Sequence, residues 1–169
     1  TEQGNYKVIV TNGYGCSTTS SAIAIIVNPL PSVALITVSS NTTFCSNDSV
    51  VLNITNNPID TYKWQRNGTD IANAGGISYT AKQSGDYTAI TINSYGCTTT
   101  SAPITVTANP LPEATITPAG STALCQGDSV VLNVGTGTGY TYQWKMGGVI
   151  ITGADNSSYK VGQQGDYVV

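Results

Sequence analysis

Residues 49–68, SVVLNITNNPIDTYKWQRNG, decide the fold. Val50, Leu52 and Ile54 fall on one face of an extended segment Ser49–Thr55, the period-two pattern of a half-buried strand. Thr61–Arg66 reads as a second strand and carries Trp64. Asn67-Gly68 is the strongest hairpin signal in the chain, because both positions tolerate positive φ, and it turns the strand back through Thr69–Ala72. Working outward, Val33–Val38 precedes this stretch. Ile77–Ala81, with Tyr79, and Gly85–Ile92, with Tyr87, Ala89 and Thr91 on one face, follow it. The turn Asn93-Ser94-Tyr95-Gly96 leads into Thr98–Thr107. Seven short strands in about 80 residues, with one Trp on the third, predict a two-sheet sandwich.

The same stretch returns. Ser49-Val50-Val51-Leu52-Asn53 recurs as Ser129-Val130-Val131-Leu132-Asn133, Trp64 as Trp144, and Cys45 as Cys125. Asn28-Pro29-Leu30-Pro31 recurs as Asn109-Pro110-Leu111-Pro112, and Gly85-Asp86-Tyr87 has counterparts in Gly4-Asn5-Tyr6 and Gly165-Asp166-Tyr167. A period of about 80 residues means a tandem array. Residues 1–28 hold the last two strands of a first repeat, about Tyr6–Thr11 and Thr19–Val27, joined by Asn12-Gly13-Tyr14-Gly15. Residues 29–108 form a complete repeat, and residues 109–169 the first five to six strands of a third. The prolines of the linkers donate no ladder hydrogen bonds, so the linkers should be extended and stiff. Because the chain opens with two closing strands and ends as their counterpart begins, two readings stay open. It is a window on a continuous fibre, which is the leading reading, or protomers complete one another head to tail by strand addition.

Composition removes several function classes. Charged residues are 9% of the chain, histidine is absent, and 6 basic against 9 acidic side chains give a net charge of −3. A nucleic-acid binder needs clustered Lys and Arg. No apolar run approaches the roughly 18–20 residues of a membrane-spanning helix, and Ala22–Val27 is only strand-length. The N-terminus is polar and already inside a repeat, so targeting signals are expected outside this stretch. β-Branched residues and ten Tyr, broken by Gly, Asn, Asp and Pro, give an all-β class.

At these residues the chain resembles an immunoglobulin-like domain. Asn47-Asp48-Ser49-Val50-Val51-Leu52 and Gly127-Asp128-Ser129-Val130-Val131-Leu132 resemble the family's strand B, Trp64 and Trp144 its strand-C tryptophan, and Tyr87 and Tyr167 its tyrosine corner. The resemblance places Ile54 and Ala89 where the family often has an inter-sheet disulfide, so an apolar pair replaces that bond here. A narrower resemblance spans essentially the whole chain. The Asn-Pro-Leu-Pro linker, the Cys-x-x-Asp-Ser-Val segment, the Tyr-x-Trp strand, Gly-Asp-Tyr and the Asn-x-x-Gly-Cys turn are similar to the repeats of very large secreted surface proteins of Bacteroidota. Those proteins are associated with gliding motility and type IX secretion. This resemblance implies tandem immunoglobulin-like sandwiches in an extended array, at the cell surface or outside the cell.

In such a sandwich Cys45 and Cys125 lie before strand B, and Cys16 and Cys97 follow the F–G turn. Disulfides suit an exported array. A bond between Cys45 and a cysteine of the next repeat, and between Cys97 and one of the preceding repeat, fits the topology best. An intradomain Cys45–Cys97 bond, Cys97–Cys125 pairing and free thiols stay open, and with no Cys-x-x-Cys and no histidine a metal centre is not expected.

Catalysis is not expected either. Hydrolytic triads need a base, usually histidine. Asp48, Asp60, Asp70, Asp86, Asp155 and Asp166 all sit in turn-rich contexts where Asp satisfies local backbone donors. No cofactor is expected. Structural calcium is the lesser alternative, since no Asp-x-Asp-x-Asp loop exists. Tyr14 and Tyr95 mark the F–G turns and are candidates for packing at the junction between repeats or for ligand contact. Ser49 and Ser129 fit a short Asp-Ser-apolar motif for O-glycosylation, or they simply begin strand B. The expected function is a rod or spacer segment of a long extracellular adhesin or surface filament. Its partners are adjacent repeats and other copies in a fibre. A glycan- or protein-binding adhesion module, and a non-catalytic spacer of a secreted enzyme, are the alternatives.

Overall fold

The computed structural model describes residues 2–55 and 57–169, and among them it contains only strands, turns and irregular segments. The chain divides into two compact units, Thr1–Asn109 and Pro110–Val169.

The first unit opens with an isolated hairpin. Strand β1 (Gly4–Tyr6) pairs antiparallel with β4 (Ile23–Ile25), and β2 (Ile9–Thr11) with β3 (Ser17–Thr19). The two strands expected from sequence are thus each broken in two. The break falls at Ser20, whose hydroxyl accepts the Val8 N–H at 3.1 Å while its own N–H donates to the Val8 carbonyl at 2.9 Å. A side chain here replaces a backbone acceptor, and the regular ladder cannot run through it.

A sandwich follows, made of β5 (Ile36–Val38), β6 (Thr43–Cys45), β7 (Val50–Ile54), β8 (Thr61–Arg66), β9 (Thr69–Asp70), β10 (Ser78–Ala81), β11 (Gly85–Ile92), β12 (Thr98–Thr100) and β13 (Ile104–Asn109). One sheet has the order β10-β7-β5 and the other β6-β13-β11-β8-β9, with β12 also on β11. The expected single strand Thr98–Thr107 is split at Ser101, which repeats the Ser20 arrangement: its hydroxyl accepts the Ala89 N–H at 2.9 Å. Pro103, lacking an N–H, prevents re-entry into the ladder before Ile104. Strand β6 has no counterpart among the seven strands read from sequence. It lies parallel to β13, with Thr43 opposite Thr107 and Cys45 opposite Asn109. The Asn67-Gly68 turn has φ of 51° and 77°, the left-handed pair that a tight two-residue hairpin requires.

The core lies between these sheets. Val50, Leu52 and Ile54 face Tyr62, Trp64, Tyr87, Ala89 and Val106, and all are buried. Each large aliphatic side chain so buried contributes about 1.5–3 kcal/mol. Trp64 keeps its indole N–H satisfied by donating to the Gly76 carbonyl at 2.9 Å. Tyr79 links the layers, with ring centroids 6.0 Å from Trp64 and 5.8 Å from Tyr87.

The second unit is built alike as far as it goes. Strands β14 (Ile116–Pro118), β15 (Val130–Val134) and β18 (Ser158–Val161) form one sheet in the order β14-β15-β18. Strands β16 (Lys145–Met146), β17 (Val149–Ile150) and β19 (Tyr167–Val168) form the other in the order β17-β16-β19. Val130, Leu132, Val134, Trp144, Ala154 and Val161 make its core. Trp144 donates to the Asn156 carbonyl at 2.9 Å, and Tyr159 stands between Trp144 and Tyr167 as Tyr79 does between Trp64 and Tyr87.

Candidate functional site

The residues singled out in the sequence fall into three places. The first is the core. Trp64, Trp144, Tyr87, Ile54 and Ala89 are all buried. Tyr87 donates its hydroxyl to the Gln83 carbonyl at 2.9 Å. Burial, and next the neighbouring Tyr79, hold its phenol above the usual tyrosine range, with Arg66 pulling more weakly the other way. Tyr167 is only half-buried, yet donates to the Gln163 carbonyl at 3.1 Å, and Tyr6 repeats the same bond to the Glu2 carbonyl at 3.0 Å.

The second place is the pair of turns carrying Tyr14 and Tyr95. Asn93 builds its turn from within, its side-chain oxygen accepting from Tyr95 N–H at 3.1 Å and Cys97 N–H at 3.0 Å. Asn12 does the same for Tyr14 at 3.0 Å and Cys16 at 3.1 Å. Both tyrosine rings consequently stand outward, Tyr14 at 95% and Tyr95 at 63% exposure. Asn93 also donates its amide to the Pro29 carbonyl at 2.8 Å, and Thr99 donates to the Ser32 carbonyl at 3.3 Å. This turn therefore holds the incoming linker. At the other end of the sandwich Ser46 holds the outgoing one. Its N–H and hydroxyl both donate to the Asn109 carbonyl, at 2.6 and 2.8 Å. Neither clamp was read from the sequence, although the repeated Asn of the two turns signalled the first.

The cysteines belong to these ends. No two of the four are bonded to each other. Cys45 lies opposite Asn109, off the Gly85 end of β11, whereas Cys97 follows the Ile92 end. Eight residues of strand separate them by roughly 25 Å, far beyond the about 4.4–6.8 Å that a disulfide spans. An intradomain Cys45–Cys97 bond is excluded on that ground. Ser49 and Ser129 are exposed immediately before β7 and β15. Among the described residues no three Asp, Glu, Cys or His side chains gather as a metal site would require. No helix of the described residues is long and apolar enough to cross a membrane.

The third place comprises the two partial repeats read from the sequence. The β1–β4 hairpin exposes an apolar face of Tyr6, Val8, Ile23 and Ile25, beside a hollow of about 660 Å³. In the second unit an open groove of about 870 Å³ runs past Ile116, Leu124, Val130, Leu132, Val161 and Tyr167.

No family model matches the chain, and no curated protein matches it. Solved structures that align with nearly the whole chain include two with low identity. The FN1–FN3 domains of chicken CNTN1 align at 12% identity and a TM-score of 0.33, over 97% of this chain and 66% of that one. SGBP-B of the Bacteroides ovatus mixed-linkage glucan utilization locus, solved with a mixed-linkage heptasaccharide, aligns at 13% identity and a TM-score of 0.34, over 94% of this chain. The chain spans only 40% of the length of that glucan-locus protein. The chain is all-β, and its complete repeat is a two-sheet sandwich.

Proposed function

We propose that the chain is a non-catalytic, structural repeat segment of a long extracellular adhesin or surface filament, in which it sets length and spacing. The observation that carries this reading is the pair of clamps on the complete sandwich. Asn93 grips the Pro29 carbonyl at one end and Ser46 grips the Asn109 carbonyl twice at the other. Both carbonyls belong to the repeated Asn-Pro-Leu-Pro linker. A chain of independent beads has no use for a linker hydrogen-bonded to its bead; a stiff rod does. The near-identity of the Asn12–Cys16 and Asn93–Cys97 turns also suits a repeated joint better than varied recognition loops. The surface-protein resemblance supports a location outside the cell.

One observation favours a second reading, an adhesion module for a glycan or protein: Tyr14 and Tyr95 stand exposed on equivalent turns. Backbone 15N relaxation over residues 29–33, together with binding to a panel of extracellular polysaccharides, separates the two. On the spacer reading the linker is as rigid as the sandwich, Asn93→Ala frees it, and no polysaccharide binds. A linker that moves freely in the parent chain would sink the rod. Saturable binding lost on Tyr95→Ala, with linker rigidity unchanged, would establish the second reading instead.

A further inference from the structure

In the complete sandwich β10 ends one sheet and β9 ends the other. Between these two edge strands lies a hollow of about 390 Å³, lined only by residues of the stretch 66–83. Arg66, Ile71 and Tyr79 are half-buried in it, and Asn67, Thr69, Asp70 and Gln83 form an exposed rim. Tyr79 is held in place by its stacking between Trp64 and Tyr87.

The polar groups of this hollow are not needed by the fold. Its frame recurs in the second unit, where Ile151, Tyr159 and Gln163 stand for Ile71, Tyr79 and Gln83. There, however, Met146, Gly147, Val149 and Ile150 replace Arg66, Asn67, Thr69 and Asp70, and the same strands form without the polar set. Arg66 is also fixed and unneutralised. Its stem lies against Gly85, where an added Cβ would stand 2.9 Å from its Cγ and 3.2 Å from its Cδ. Among the described residues the one ion pair is Lys63 with Asp70, at 3.5 Å, so no carboxylate answers the Arg66 charge. Asn67 spends its side-chain oxygen on the Asp86 N–H at 2.9 Å, which leaves its amide nitrogen to donate.

We propose that this hollow binds a single acidic sugar residue, a hexuronate, free or at the end of a chain. Its carboxylate pairs with Arg66, whose planar fork matches two oxygens at once. Its hydroxyls serve the rim, donating to Asp70 and accepting from Asn67, Thr69 and the Gln83 amide. Asp70 selects against an ammonium-bearing ligand, because Lys63 already offsets its charge and Gln65 donates to it at 2.7 Å. What Asp70 can still accept is a neutral O–H. Ile71 gives the ring's C–H groups an apolar surface. The volume stands at the small end of the roughly 300–1,000 Å³ of ligand pockets, which suits one sugar unit rather than a polymer laid along the sandwich. None of the lining residues belongs to either linker clamp or to the Tyr95 turn, so the site goes beyond the spacer reading and does not depend on it.

Titration of the 15N-labelled 169-residue chain with glucuronate, followed by amide shifts, tests it. Saturable shifts are expected at residues 66–71, 79 and 83, with glucose, acetate and glutamate each binding at least about 10-fold more weakly. Arg66→Met should weaken glucuronate by about 10-fold or more, the loss of a charged hydrogen-bonding partner. Thr69→Val should weaken it by a few-fold. Both variants adopt the residue that the second unit already carries at the same place, so both should fold, and unchanged shifts elsewhere in the spectrum check that. The methyl glycoside of glucuronate separates the two sources: equal binding marks a chain end as the ligand, and lost binding marks the free sugar, with the acidic sugar upheld either way. The proposal is overturned if no shift saturates up to about 50 mM glucuronate. It is overturned equally if acetate or glutamate matches glucuronate, which would mean a bare anion or amino-acid site, if glucose matches it, or if Arg66→Met binds as the parent does.

Discussion

Asn93→Ala removes three hydrogen bonds at once. The side chain accepts from Tyr95 N–H at 3.1 Å and Cys97 N–H at 3.0 Å, and it donates to the Pro29 carbonyl at 2.8 Å. Each is worth about 1 kcal/mol net, and Asn93 is only half-buried, so water recovers part of the loss. The sum is about 2–3 kcal/mol for the complete sandwich. In a domain of this size that lowers Tm by about 10–20 °C. Asn93→Asp separates the two roles. Its carboxylate still accepts from both turn N–H groups but cannot donate to Pro29, so it should cost about 1 kcal/mol, or about 4–8 °C. The assay is thermal and urea unfolding followed by Trp64 fluorescence in a Trp144→Phe background, so that the signal reports one sandwich. Asn12→Ala, which breaks the equivalent turn of the isolated hairpin, serves as the control and leaves the Trp64 transition in place. The reasoning fails if Asn93→Ala melts within about 3 °C of the parent. It fails equally if Asn93→Asp falls as far as Asn93→Ala, because the linker bond would then account for the whole effect.

Two further outcomes can be measured with the same reporter. Tyr87 is held protonated by burial, so its folded pKa lies above its unfolded value. Its contribution is complete below that unfolded value of about 10 and is lost as pH rises through the folded value, so the urea midpoint should fall above about pH 10. Tyr87→Phe should blunt that fall, and an unchanged alkaline slope in the variant would count against the assignment. Thr91 has a buried hydroxyl without a hydrogen-bond partner, and its counterpart in the hairpin is Val10. Thr91→Val should therefore raise stability by about 1 kcal/mol; a lower urea midpoint in this variant would show that the hydroxyl has a partner.

Elements whose side chains alternate strongly were legible in the sequence. Thr61–Arg66 and Gly85–Ile92 have the bounds read from their patterns, because Tyr62 and Trp64, and Tyr87, Ala89 and Thr91, all need the same core. Strand β6 was not legible: Thr43-Phe44-Cys45 is short and half-exposed, and only its parallel partner β13 makes it a strand. The breaks at Ser20 and Ser101 were missed for a related reason. A hydroxyl substituting for a backbone carbonyl is a tertiary arrangement, and in the pattern Ser is merely another polar residue. The clamps follow the same logic. Asn93 announced a turn, but its bond to Pro29 spans 64 residues.

The parallel pairing of β6 with β13 has a mechanical consequence. The chain enters the sandwich beside Asn93 and leaves it at Asn109, so a pull on the two linkers runs along the strands. Tension drawn from Pro29 passes through β5, which is held antiparallel to β7, before it reaches β6 at its start, and tension from Pro110 reaches β13 at its end. The two strands run in the same direction and are therefore dragged past each other in shear. Their bonds, from Thr107 N–H to the Thr42 carbonyl at 2.8 Å through Ser46 N–H to the Asn109 carbonyl at 2.6 Å, lie across that pull and must give way together rather than one after another. A short strand with little apolar surface, which adds modestly to thermal stability, thus places its bonds to β13 in shear under load.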